Sequence, residues 1–195
     1  NQETGLTAGY VPNVDGHILP RTTMDSFLTG QFHHVPVMMG SAHDELSLFA
    51  AIYTLRGLVV TPNNYLQTMT MLGIPAESIP AVAAEYPLEN YNSPIEGLIA
   101  IGTDALMACN TRAALMLLSM QVKSFGYEFN DPNAPQVKLP PMSFPYGAYH
   151  GSELYFIMDS YNVLPPALDT DQQALADTMI GYWTNFAAYG SPNAP

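Results

Sequence analysis

The sequence predicts an α/β architecture, and a sheet larger than these residues supply. Val35-Pro36-Val37-Met38-Met39-Gly40 is a short apolar run of the kind that forms a strand buried on both faces. Phe125, Tyr127 and Phe129 alternate with Gly126 and Glu128, which is the period of a second strand. Helical stretches lie between these runs and after them, the order of a parallel sheet with helices on its faces. Two or three strands cannot bury both faces of such a sheet, so the chain reads as part of a larger one.

Each helix carries its own punctuation. Thr61-Pro62 reads as an N-cap followed by proline at the first helical position, and Gly73 closes that helix. Ser93-Pro94-Ile95-Glu96 has the form of a capping box. Asp104 to Met120 reads as one apolar helix. Leu175, Met179, Tyr182, Trp183, Phe186 and Ala187 fall on one face of a last helix, opened by Thr170-x-x-Gln173 and closed by Gly190 and Pro192. Prolines gather in Asp131–Pro145, which has no periodicity and predicts an ordered surface loop. That loop runs into Tyr146-Gly147-Ala148-Tyr149-His150-Gly151. Loops held on a rigid scaffold are where catalytic groups concentrate.

Composition removes several classes of function. The chain has 195 residues, 5 basic against 17 acidic, and a formal net charge of −12. Its basic residues are scattered, so no patch exists to follow a nucleic-acid backbone. No apolar run approaches the roughly 20 residues of a membrane-spanning helix. At 48% hydrophobic and 11% charged, the chain has much to bury and is not of disordered type. Cys109 stands alone, so no disulfide closes within these residues and no cysteine-based metal site is possible. Free cysteine is among the most buried residue types, which predicts a buried thiol; the other reading is half of a disulfide with a partner outside the chain.

Five histidines are candidates for chemistry: His17, His33, His34, His43 and His150. A metal reading would join His43, Asp44, Glu45 and His33. Adjacent residues diverge on either a strand or a helix, and no i, i+3 or i+4 spacing converges on one ion, so no metal is expected. A hydrolase reading uses Glu45 and His150. Glu45 lies just past the end of a buried strand, at the sheet edge where ligands bind in open α/β sheets. His150 lies in a glycine-flanked loop after the second strand. Acid before base is the chain order of α/β-hydrolases. A histidine takes the proton of a nucleophile, and a carboxylate fixes its tautomer and stabilises the imidazolium. On spacing alone, a surface glutamate and a loop histidine remain the alternative.

Five blocks in order widen the argument. They are Pro12-Asn13-Val14-Asp15-Gly16-His17-Ile18-Leu19-Pro20, then Val35 through Glu45, then Thr103-Asp104 to Cys109 and Arg112 with Tyr127-Glu128-Phe129. Gly147-Ala148-Tyr149-His150-Gly151-Ser152-Glu153-Leu154 follows, and Tyr182-Trp183-Thr184-Asn185-Phe186-Ala187 with Gly190-Ser191-Pro192-Asn193 ends the series. Together they resemble the C-terminal half of the type-B carboxylesterases, the cholinesterase-like α/β-hydrolases. The resemblance implies that residues 1–195 are the C-terminal portion of a single α/β-hydrolase domain, incomplete without an N-terminal half.

It also implies roles. Glu45 would be the triad acid and His150 the general base, with Glu153 a supporting carboxylate near the histidine loop. Tyr10, Leu48 and Phe49 fall where the family lines its acyl and alcohol pockets, although core packing accounts for them equally well. The family's nucleophile sits in a Gly-x-Ser-x-Gly elbow, and no such sequence occurs here. The expected function is therefore a serine carboxylic-ester hydrolase acting on a small-molecule ester through an acyl-enzyme. Its serine and oxyanion hole would come from an N-terminal half or a second chain, and no cofactor is required. The rival reading is a catalytically silent binding or adhesion module of the same family.

Overall fold

A computed structural model describes residues 13–136, 139–158 and 167–193. Strands β1 (Val37–Ala42) and β2 (Ser124–Phe129) pair in parallel, from Val37 opposite Ser124 to Ala42 opposite Phe129. β1 starts two residues later than the apolar run suggests. Pro36 has no N–H to give, and the ladder begins where Val37 N–H donates to the Lys123 carbonyl at 2.9 Å. It ends where His43 N–H donates to the Phe129 carbonyl at 2.9 Å. Odd-numbered residues of β1 thus face β2, while the N–H groups of Met38, Gly40 and Ala42 point to the opposite edge.

Helix α1 (Thr23–Thr29) precedes β1. Between the strands come α2 (Ser47–Leu55), α3 (Tyr65–Thr68), α4 (Ile79–Glu85), α5 (Pro94–Thr103) and α6 (Cys109–Ser119). After β2 come α7 (Leu154–Ile157) and α8 (Thr170–Tyr189). No helix of the described residues is long and apolar enough to cross a membrane.

Several boundaries differ from the sequence reading. Thr61 caps no helix: Asn64 Oδ1 accepts from Thr61 N–H at 2.7 Å and holds a turn, so α3 begins only at Tyr65. Ser93 does open α5, but its hydroxyl donates to Glu96 at 2.7 Å instead of capping the backbone. The stretch read as one helix is two, because a π turn over Asp104–Ala108 precedes α6. Cys109 is exposed rather than buried. It lies nine residues before Leu118, the buried residue of α6, hence about 180° round the helix.

The last helix is capped by Asp169, in a full capping box with Gln172, one residue before the expected start. Gly190 closes it as read, with φ 66°. Its packed face keeps Met179, Trp183 and Phe186 of the apolar set but is turned away from Leu175 and Tyr182 towards Ala176. Ala176 and Met179 are buried, while Leu175 and Tyr182 face solvent. Trp183 meets Tyr127 edge to face at 4.8 Å between ring centroids, and Phe186 meets Phe125 at 6.1 Å. These pairs lay α8 against the sheet. The loop after β2 is anchored, not merely superficial, since Ala134 and Phe144 are buried.

The strands approach closely because of Gly40. A Cβ there would lie 2.1 Å from the Tyr127 carbonyl oxygen and 2.6 Å from its ring. Gly40→Ala is expected to cost about 1–3 kcal/mol by overpacking. Gly181 lies inside α8 with nothing within 4 Å of a built Cβ, so Gly181→Ala is expected to stabilise by about 0.5–1 kcal/mol. Urea unfolding of the complete protein checks both signs.

Candidate active site

β1 ends at Ala42, and the chain turns through residues 43–46 into α2. Glu45 sits in that turn with 7% of its surface exposed. A buried carboxylate needs hydrogen-bond donors, and both its oxygens have one. Oε1 accepts from Ala42 N–H at 2.8 Å, one of the β1 donors that point away from β2. Oε2 accepts from Nδ1 of His150 at 2.6 Å, across 105 residues of sequence. The turn is fixed from behind by Leu46 N–H, which donates to Thr103 Oγ1 at 3.2 Å on α5.

The loop that carries His150 is tied to the same turn. Asp44 N–H donates to the Ala148 carbonyl at 2.9 Å, and Ala148 N–H returns a bond to Asp44 Oδ2 at 3.0 Å. The Ser47 hydroxyl donates to the Tyr146 carbonyl at 2.6 Å. Gly147 has φ 57°, and a Cβ there would lie 2.1 Å from Asp44 Oδ2, so the position requires glycine on both counts. Tyr149 is fully buried, and its hydroxyl donates to the Pro135 carbonyl at 2.6 Å. Burial pushes the Tyr149 phenol up, and the neighbouring Tyr155 and Glu153 push it further. The buried Ser152 hydroxyl donates to the Tyr149 carbonyl at 2.6 Å. His150 is thus held between two immobilised neighbours, with 48% of its side chain exposed.

The other singled-out residues are placed as follows. Phe49 stacks obliquely on the His150 imidazole at 5.3 Å between centroids. It also lines an apolar crevice with Leu46, Ala50, Tyr53 and Ile99. Leu48 packs into the cluster that holds Tyr149. Glu153 turns a buried Oε2 inward, with no hydrogen-bond partner among the described residues. Its charge helps push up the phenol of Tyr127, where burial is the larger cause. Tyr10 lies outside the described residues. His17, His33, His34 and His43 are all exposed. Asp44 and Glu45 turn to different partners; Asp44 Oδ1 meets His43 Nδ1 at 3.1 Å. Sequence reasoning weighed Asp44 only as a metal ligand and gave it no part in the hydrolase reading. The signal was available in Gly147, a glycine three residues before the histidine.

This arrangement suits general-base chemistry. A carboxylate only accepts, so the Nδ1 that faces it carries the proton, and the basic lone pair of the neutral ring is on Nε2. A charge that forms on the ring is met by a buried carboxylate at hydrogen-bond distance.

Comparison with known proteins gives this geometry a lineage. The family model described as "Carboxylesterase family" matches residues 1–195, the whole chain. The chain belongs to the carboxylesterase family. Among relatives, this carboxylesterase-family chain is 28% identical to an acetylcholinesterase of Bungarus fasciatus, over 95% of the chain and 32% of that protein. It is 26% identical to the "Crystal protein" of Dictyostelium discoideum, over 100% of the chain and 37% of that protein. It is 24% identical to carboxylesterase 3 of Homo sapiens, over 95% and 35%. The chain therefore spans about a third of the length of these curated relatives. Its small parallel sheet and flanking helices are part of an α/β-hydrolase fold.

Tyr149→Phe removes the donor to a buried proline carbonyl and is expected to destabilise the complete protein by about 1–3 kcal/mol. Denaturant unfolding of the wild type and variant measures the difference.

Proposed function

We propose that this chain carries the acid and the base of a serine carboxylic-ester hydrolase. The observation that carries the reading is the 2.6 Å contact between His150 Nδ1 and the buried Glu45 carboxylate. Family membership supports hydrolysis of esters as the class of reaction. The nucleophilic serine and the oxyanion hole come from residues outside this sequence, which contains no Gly-x-Ser-x-Gly. Residues 1–195 then form the C-terminal portion of one α/β-hydrolase domain. The outer edge of β1, to which Met38 and Gly40 direct their N–H groups, is the edge for a further strand.

The cycle runs in two halves. His150 Nε2 takes the serine proton as its oxygen attacks the ester carbonyl, then gives that proton to the leaving alcohol. The acyl-enzyme that remains is opened by water: His150 takes a proton from it as it attacks the acyl carbon, then returns that proton to the serine oxygen as the bond to the acyl group breaks and the acid leaves. Glu45 holds the ring in the Nδ1–H tautomer and meets the positive charge of the imidazolium. Phe49, and Leu48 with it, line the groups on either side of the ester bond. Glu153 supports the histidine loop from beneath.

In the complete protein, His150→Ala is expected to abolish most hydrolysis of p-nitrophenyl esters. Glu45→Gln keeps the shape but loses tautomer control, and is expected to lower kcat by up to ~10⁴-fold. His33→Ala and His34→Ala serve as controls with little loss. Labelling by a phosphonofluoridate reports the serine directly. A complete protein with neither turnover nor label would be the silent module instead. The 195 residues expressed alone are expected to give no burst of p-nitrophenol.

A further inference from the structure

We infer that Asp44 is a positioning residue: its backbone and carboxylate clamp Ala148 and so hold the His150 imidazole on Glu45. The inference rests on the reading of Glu45 and His150 as acid and base. Asp44 precedes the acid by one residue, and Ala148 precedes the base by two. Between them run two hydrogen bonds in opposite senses, Asp44 N–H to the Ala148 carbonyl at 2.9 Å and Ala148 N–H to Asp44 Oδ2 at 3.0 Å. The carboxylate is therefore used like one more strand residue, joining two loops that are 104 residues apart in sequence.

The chain makes room for this clamp. Gly147 lacks the Cβ that would collide with Asp44 Oδ2 at 2.1 Å. Ala148 has no exposed surface, so its N–H has no access to water if the carboxylate is removed. The loop must then move to hydrate or re-pair that group. His150 is two residues away, and its bond to Glu45 at 2.6 Å has little slack. A misplacement of about 1 Å can cost on the order of 10²-fold in rate.

The loop keeps other ties when the carboxylate is lost. Ser47 still donates to Tyr146, Tyr149 still donates to Pro135, and the Asp44 backbone bond does not depend on the side chain. Asp44→Ala thus removes the aim of the loop more than its fold. Asp44→Asn keeps an acceptor oxygen for Ala148 N–H, and its amide donates to His43 Nδ1. The conservative variant is therefore expected to restore the clamp.

The test uses the complete enzyme and two readouts. The first is kcat per active site, counted by the burst of a slowly deacylating p-nitrophenyl ester. The second is the low-field proton NMR resonance of the His150 Nδ1–H, assigned by its absence in His150→Ala. Asp44→Ala is expected to lower kcat per site about 10²-fold, with KM changed much less, and to broaden or remove the resonance. Asp44→Asn is expected to keep both near wild type. Gly147→Ala, which presses on the carboxylate from the other side, is expected to lose the resonance. Combining it with Asp44→Ala adds little, as for residues acting through one contact. If Asp44→Ala does not fold, Asp44→Asn and Gly147→Ala still decide. Folded Asp44→Ala or Gly147→Ala with an intact resonance and full kcat per site would overturn the inference. If the wild type shows neither turnover nor burst, the esterase reading fails, while the resonance still tests the clamp.

Discussion

Burying a carboxylate at the end of a strand imposes a demand on everything near it. Glu45 has lost most of its water, and an unpaired charge in such a place costs several kcal/mol. Its two oxygens are met from two directions: by the last outward N–H of β1 and by an imidazole from the loop after β2. The first donor exists because the β1–β2 register leaves Ala42 facing away from its partner strand. The second exists because the loop after β2 is tied back to the Glu45 turn by Asp44 and Ser47. Remove the register or the ties, and the carboxylate has no reason to stay inside.

The packing around this point is aromatic and specific. Phe129 and Phe156 meet at 4.9 Å, and Tyr146 and Tyr149, within the loop that holds His150, meet at 6.0 Å. On the other side, Leu46, Ala51, Ile95, Ile99 and Phe144 join α2 and α5 behind Glu45. α5 buries seven of its ten residues, since a second cluster with Tyr65 and Met69 covers its other flank. A helix packed on two sides cannot rotate, and Thr103 at its end holds Leu46, the residue after Glu45. Rigidity at Glu45 is thus inherited from a helix that does not touch it directly.

Much of this was legible in the residues. The strands were marked by an apolar run and an alternation, and the Glu45–His150 contact by the places of those two residues beyond the strands. The ordering of blocks carried the family. Other features leave no local trace. Apolar periodicity counts residue types, so it favoured Leu175 and Tyr182 over Ala176, whose small side chain lets α8 come close. The π turn at Asp104–Ala108 looks like continuous helix in sequence, because one shifted hydrogen bond changes no composition. Exposure of Cys109 follows from which side of α6 meets the sheet. Asp44 was obscured by standing next to a stronger candidate, and its partner is a backbone N–H that any residue could supply.

Asp44 and Glu45 are neighbours that serve two points of one loop, and the turn that carries them works as a reading frame. Inserting one residue after Ala42 would bring Asp44 to the place of Glu45 and leave the Ala148 N–H without its carboxylate. Homologous recombination of this segment alone therefore carries a hidden incompatibility, since the glycine and alanine that receive Asp44 lie a hundred residues away. A chimera is sound only when residues 42–47 travel with residues 146–152 as a single cassette.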